Sequence, residues 1–346
     1  MGDNINFNSI TKKHSFVSVK EIPWHGLGKV VNKSMTSSEA IELAGLDYEV
    51  KKAALIAEFD EADRITHNAQ GGYVDKAFAT YRSDTLDVFG VVGSKYEIVQ
   101  NKDAFKFIDN IIGDTNKHAI FETAGALGKG ETTFITCKLP TYIKINGHDT
   151  IENYLVISNG HDGRTSLNVF LTPIRIVCQN TLALGKSVAK FNIALRHTTS
   201  IHDKLADASQ ILNISKSISE ETQELYRHLA TMKVTDKAVE GYFNNLILTP
   251  NELAILSSSK LKYDKVEDIH ARKKNVLNAI HKYYHVGVGQ DKIQGTAWGA
   301  YNAFTGWQSN VKNYSNDSKK MESLVLGGSD NKKSVEALDM ALQLNN

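Results

Sequence analysis

The chain has 346 residues, enough for one large domain or two ordinary ones, and its 41% hydrophobic and 23% charged residues are the balance of a soluble globular protein. A formal net charge of +1 excludes a global pull toward nucleic acid or membrane, so any basic footprint must be local. The two cysteines, Cys137 and Cys178, form no CxxC pair; a disulfide framework and a cysteine-rich zinc site are excluded, and both residues sit in apolar runs that predict buried free thiols.

Residues 1–36 read as an irregular arm whose polar start lacks the apolar stretch of a signal peptide. No window approaches the ~20 apolar residues of a membrane span, so no membrane partner is expected and the cytoplasm is the expected location. Ser37 to Ala44 predicts a short helix. Tyr48 to Ile56, Ala77 to Arg82 and Leu86 to Val92 are rich in β-formers, the last two making a hairpin around Ser83-Asp84. Asp103 to Ile112 returns to helical spacing, with Phe105, Ile108, Ile111 and Ile112 on one face. A second strand set follows. Ala119 to Leu127 turns through Gly128-Lys129-Gly130 into Glu131 to Leu139; Tyr142 to Ile145 and Ile151 to Ile157 flank Asn146-Gly147; Leu167 to Leu171 and Ile174 to Val177 complete it. Beyond Gln179 the spacing is helical over Ile201 to Met232, Thr235 to Leu248, Val266 to Tyr284, Ala297 to Val311 and Ser334 to Leu344, with Asp236 and Ser334 as caps. Strands first and helices later predict an α+β fold: the arm at 1–36, a mostly antiparallel core at 37–200 and a helical region at 201–346 packed on it.

Signatures of chemistry are sparse. Gly125 to Gly130 lacks the first glycine and the final Ser/Thr of a phosphate loop and reads as a hairpin turn. There is no HExxH or GxSxG, the twelve histidines are scattered, and neither a metal nor a cofactor is called for. Polar residues crowd the hairpin Ser158-Asn159-Gly160-His161-Asp162-Gly163-Arg164 and its return through Arg175-Ile176-Val177-Cys178-Gln179-Asn180. An enzyme would place His161, Asp162 and Cys178 there, joined by His25, Arg175 and Asn180: an imidazole lowers a thiol pKa and an amide orients the imidazole. The bland alternative is that Asp162 and Gly163 only make the turn. Lys260 to Lys282 is a basic segment, with Arg272, Lys273 and Lys274 at its centre and Tyr283 and Tyr284 just beyond. Lysines neutralise phosphates and aromatic rings stack unpaired bases, so these residues together with Arg164 and Arg175 form the candidate nucleic-acid groove. Trp298, Tyr301, Phe304 and Trp307 recur at helical steps, which reads as core or subunit interface.

A family resemblance rests on an ordered series of motifs: Pro23-Trp24-His25-Gly26-Leu27-Gly28, Gly45-Leu46-Asp47-Tyr48-Glu49-Val50, Val92-Gly93-Ser94-Lys95-Tyr96, His161-Asp162-Gly163, Arg175-Ile176-Val177-Cys178-Gln179-Asn180-Thr181-Leu182 and Gly295-Thr296-Ala297-Trp298-Gly299-Ala300-Tyr301-Asn302-Ala303. Together they resemble the phage/plasmid-like proteins grouped as domain of unknown function 932. The likeness departs after Ala303, where Phe304-Thr305-Gly306-Trp307-Gln308 stands in place of a polar continuation. The resemblance implies a mobile-element origin, and hence the host-cell cytoplasm, in a setting where single-stranded DNA recurs. The expected function is non-catalytic binding, and annealing, of single-stranded DNA by a homo-oligomer. The alternatives are an interaction protein that antagonises a host factor or assists assembly, with the aromatic stripe as its exposed contact surface, and the hairpin enzyme.

Overall fold

The structure, a computed structural model, describes residues 5–20, 26–62, 64, 71–113, 120–145, 149–175, 180–181, 193–198, 200–201, 210–257, 271–315, 317–324 and 328–344. The fold is α+β. In chain order come β1 (Phe7–Asn8), β2 (Lys13–His14), β3 (Phe16–Val19), β4 (Lys29–Val31), α1 (Ser37–Ala44), β5 (Val50–Ala57), β6 (Gly72–Arg82), β7 (Val88–Gly93), α2 (Asn101–Gly113), β8 (Ile120–Leu127), β9 (Thr132–Ile145), β10 (Asp149–Gly160), β11 (Leu167–Arg175), β12 (Asn180–Thr181) and β13 (Ile193–Leu195). Helices α3 (Gln210–Thr231), α4 (Asp236–Ile247), α5 (Pro250–Ser257), α6 (Ala271–Val286), α7 (Ala297–Asn310), α8 (Asp317–Leu324) and α9 (Ser329–Ala341) follow.

The large sheet runs β12-β11-β10-β9-β8-β3-β4, with β13 on β11, and every pairing in it is antiparallel except β3 with β4. A separate antiparallel sheet orders β5-β6-β7. Among the described residues of the N-terminal arm four short strands form, β1 to β4, where an irregular arm is expected from the sequence. All four residues of β3 are buried, and β3 pairs β8 through Val17 and Ala124. Strand β9 runs continuously through what the sequence divides into Glu131 to Leu139 and Tyr142 to Ile145. Between Lys138 and Tyr142 the register against β10 slips, and Pro140 sits in that bulge. Strand β11 likewise runs through Pro173, and its residues 170–173 have no described partner on the side away from β10.

Two large apolar cores flank this scaffold, beside a small third cluster of Ile5, Phe16, Leu127 and Phe134. The first joins α1, α2 and the strands around Val17, Leu46, Phe105, Ile135, Ile157 and Leu167. The second gathers α3, α4, α6, α7 and α9 around Trp298, Tyr301, Phe304 and Trp307, and meets Ile143, Ile145 and Ile151 at one end of β9 and β10. The aromatic stripe is therefore interior, Trp298 and Tyr301 being wholly buried, which removes it as an exposed contact surface. The Trp298 indole Nε1 donates to Asp149 Oδ2 at 3.0 Å, which ties α7 to the start of β10.

Two predicted caps move. Thr235, not Asp236, caps α4, its hydroxyl accepting from the Ala238 N–H at 3.2 Å. Ser334 lies inside α9, which starts after Gly328, and its hydroxyl donates to Gln308 Oε1 at 2.6 Å.

Candidate functional site

At Gly160 β10 ends and the chain turns toward β11. Asp162 Oδ1 accepts from the Arg164 N–H at 2.9 Å and the Thr165 N–H at 2.8 Å, and Gly163 adopts φ +77°. Asp162 and Gly163 thus make the turn, by a carboxylate that mimics a backbone acceptor and a glycine in the left-handed region. The turn lies directly on β7. A Cβ at Gly90 would stand 2.2 Å from the Asp162 carbonyl, so only glycine at 90 permits this approach. The Thr80 hydroxyl donates to the His161 carbonyl at 2.6 Å and links the turn to β6 as well.

His161 is fully buried. Its Nε2 lies 2.9 Å from Asn101 Oδ1, which also accepts from the Thr133 hydroxyl at 3.0 Å, while Asn101 Nδ2 donates to the Leu46 carbonyl at 2.9 Å. With the amide oriented by those partners, Nε2 is the nitrogen that carries the proton. The ring stacks on Phe89 at 6.0 Å. Burial, then the neighbouring His197, push its pKa down to about 3 against the opposing pull of Asp162. A neutral, fully enclosed imidazole offers a substrate no surface; it pins α2, β9 and the turn together.

A second ring pair closes the rim. His197 stacks on Tyr96 at 4.9 Å, and its Nδ1 lies 3.1 Å from the Glu97 carbonyl, an acceptor to which it donates. Burial lowers the His197 pKa and raises that of Tyr96, whose hydroxyl donates to the Gly160 carbonyl at 3.1 Å. The Lys52 ammonium donates to the Tyr96 carbonyl.

Strand pairing then assembles cations that are far apart in sequence. β11 and β13 pair Leu167 with Leu195, which sets Arg196 beside the turn that bears Arg164. The Glu97 N–H donates to the His197 carbonyl at 3.1 Å, which brings Lys95 and Tyr96 to the same place. Arg164, Arg196 and Lys95 are exposed and Lys52 is half-buried, with the carboxylates of Glu97 and the turn-bound Asp162 close by. Lys95 stands in one of the motifs of the family resemblance, but no local pattern brings it or Arg196 to the turn; only long-range register does.

The other predicted contacts lie elsewhere. Arg175 is the last residue of β11, paired with Asn180 and opposite Ile151, so about 26 Å of strand separates it from the Arg164 end. Arg272, Lys273 and Lys274 ride on α6, within the helical core that meets the Asp149 end of β10 rather than its Gly160 end. Lys273 Nζ is 2.6 Å from Glu252 Oε2 on α5, and that hydrogen bond, with those from Thr249, lowers the Glu252 pKa to about 2. Tyr283 and Tyr284 are buried, their hydroxyls accepting from Asn310 Nδ2 at 3.0 Å and from the Gly295 N–H at 2.8 Å, and neither ring has a face left for a base. Cys178 and His25 lie outside the described residues. Cys137 is buried, and burial, with the charges of Glu122 and Asp109, pushes its thiol up to about 12, the state of an inert thiol. Among the described residues no group of three or more His, Cys, Asp or Glu side chains is placed to hold a metal ion, and no helix is long and apolar enough to cross a membrane.

No curated protein and no solved structure matches the chain. One family model does, from the start of β7 past the end of α8, so the match takes in the turn, β13 and most of the helical core: over residues 88–327 the chain belongs to the family described as Domain of unknown function (DUF932).

Proposed function

We propose that the chain binds single-stranded nucleic acid, without chemistry, through the cations gathered at the Asp162–Arg164 turn. The observation that carries this reading is the convergence of Arg164, Arg196, Lys95 and Lys52 on one turn in a molecule whose net charge is only +1. Exposed guanidinium groups track phosphates and lie flat on bases, while Tyr96 and His197 brace the surface from behind. In this reading Arg164 keeps its predicted role, and Arg196, Lys95 and Lys52 replace Arg175 and the α6 cations. The phage and plasmid setting implied by the family likeness supplies single strands, and annealing of complementary strands is the activity such a surface would serve.

A mobility shift with labelled single-stranded oligonucleotides tests the proposal. The double substitution Arg164→Ala/Arg196→Ala is expected to weaken binding and to lower the slope of log affinity against log salt by about 0.7 for each phosphate no longer neutralised. Lys273→Ala/Lys274→Ala is expected to leave both unchanged. Absence of retardation at micromolar protein in low salt, or equal losses from the two double variants, overturns it.

A further inference from the structure

The sheet β5-β6-β7 extends past its own support. From Tyr73 to Lys76 four successive residues of β6 are exposed, so both faces of the ribbon stand in solvent there, although successive side chains of a strand point to opposite sides. Part of that exposed surface is apolar: Ile56 and Tyr73 form a cross-strand pair, 64% and 76% exposed, with Val74 and Phe59 close by in the chain, while Asp75 and Lys76 follow on β6. Its described end is acidic, with Glu58, Asp60 and Glu61 exposed against Arg64. A two-stranded ribbon that buries neither face is marginal in water and normally finds cover.

A complementary surface exists on the same chain. An open hollow of about 340 Å³ on the large sheet is floored by Ile120 and Leu139 and edged by the exposed ring of Tyr142. Lys138 is neutralised there by Glu152, but Lys144 stands 5.4 Å over the Tyr142 ring, and Arg227 of α3 donates to the Lys144 carbonyl at 3.3 Å. Of the charged residues that line the hollow, Lys138 and Lys144 stand against Glu152, which leaves Lys144 as the excess cation with Arg227 behind it, while Glu122 meets Glu152 at Tyr154; the Lys144 side is positive where the described end of the ribbon is negative. Tyr142 at the edge of the hollow and Ile56 and Tyr73 of the ribbon are all exposed in the single chain, so these side chains do not cover one another within one molecule.

We infer that the β5–β6 ribbon of one copy docks into the Tyr142–Lys144 hollow of a second copy. The contact joins two different patches, so it either exchanges ribbons between two copies or repeats head to tail into a ring or filament. It stands independently of nucleic-acid binding. Light scattering on the eluting protein tests it with a ribbon variant, Ile56→Ser/Tyr73→Ser, and a hollow variant, Tyr142→Ser/Lys144→Glu. All four positions are exposed, and circular dichroism checks that each variant is folded. Wild type is expected to run above the mass of one chain and each variant at that mass. An equimolar mixture is expected to return a species of twice the chain mass, since one intact ribbon then meets one intact hollow. A monomeric wild type, a ribbon variant that still associates, or a mixture that stays monomeric each overturns the inference.

Discussion

A buried imidazole with no carboxylate bonded to it stays neutral, and His161 occupies that state at the join of turn, helix and sheet. Its ordinary pKa is 6.5 and its folded value is about 3, so between those values the unfolded chain binds a proton that the folded chain refuses. Its contribution is complete above the unfolded pKa and declines as pH falls below it, by about 2 kcal/mol from about pH 7 to about pH 5. His197, also lowered by burial, adds in the same direction. Asp84 responds in a more acidic window. Burial pushes its carboxyl up, but the hydrogen bond and charge of Arg82 outweigh burial and hold it below 3.8, so its contribution is present above that value and lost only as pH falls through the folded pKa. Urea titrations at the two pH values should show the loss in wild type and a clearly smaller one in His161→Gln; equal slopes would exclude His161 as the source. Arg82 itself is buried with a bidentate bond to Asp84 (2.7 and 2.8 Å), bonds to Asn6 Oδ1 and the Lys129 carbonyl, and the Tyr48 ring 3.9 Å away. Arg82→Ala takes the buried donor from Asn6 Oδ1, the half-exposed Asp84 carboxylate and the Lys129 carbonyl at once and empties the space against the Tyr48 ring; it should cost about 3 kcal/mol in chemical denaturation, with Arg82→Lys recovering little because one ammonium cannot span that fork.

At the scale of elements, the contact between α6 and α7 reverses an ordinary propensity. In an exposed helix Gly→Ala stabilises by about 1 kcal/mol. At Gly306 of α7 an added Cβ would lie 2.2 Å from the Tyr283 ring of α6, and that ring is buried with its hydroxyl held by Asn310. Gly306→Ala should therefore destabilise by about 1–3 kcal/mol, as overpacking does, and a measured gain would mean that α6 and α7 meet more loosely than this. The elements that sequence alone reveals are those with a long apolar period or a defining turn: α4, α7, the β6–β7 hairpin and the Gly128–Gly130 turn. Those it conceals have a tertiary cause. Four residues of β3 carry no periodicity worth reading, and they become a strand because β8 offers an edge. Pro140 breaks a local pattern but not a strand, because a bulge absorbs its missing N–H.

Over the whole molecule, the candidate site and the two cores are connected by register rather than by proximity in sequence. The Asp-Gly step announces the turn and so makes Arg164 visible, whereas Arg196 and Lys95 reach it only through β11–β13 pairing and the bonds between Glu97 and His197, which no local pattern encodes. The same strands couple the cores. β9 and β10 begin and end in different ones: Ile157 of β10 packs in the first, Ile151 in the second, and the stretch between is an unbroken ladder apart from the bulge. A chain built this way should unfold as one unit, since neither core keeps its floor when the shared strands leave. Two of the three tryptophans, Trp298 and Trp307, lie in the helical core, so in a Trp24→Phe background tryptophan emission follows that core, while circular dichroism follows all of the backbone. His161→Gln perturbs only the opposite end of β10, yet it should shift the urea midpoint of both signals equally and leave the two curves coincident. Two separated transitions, with the tryptophan curve unmoved, would show that the cores unfold independently and that the continuous strands carry no coupling between them.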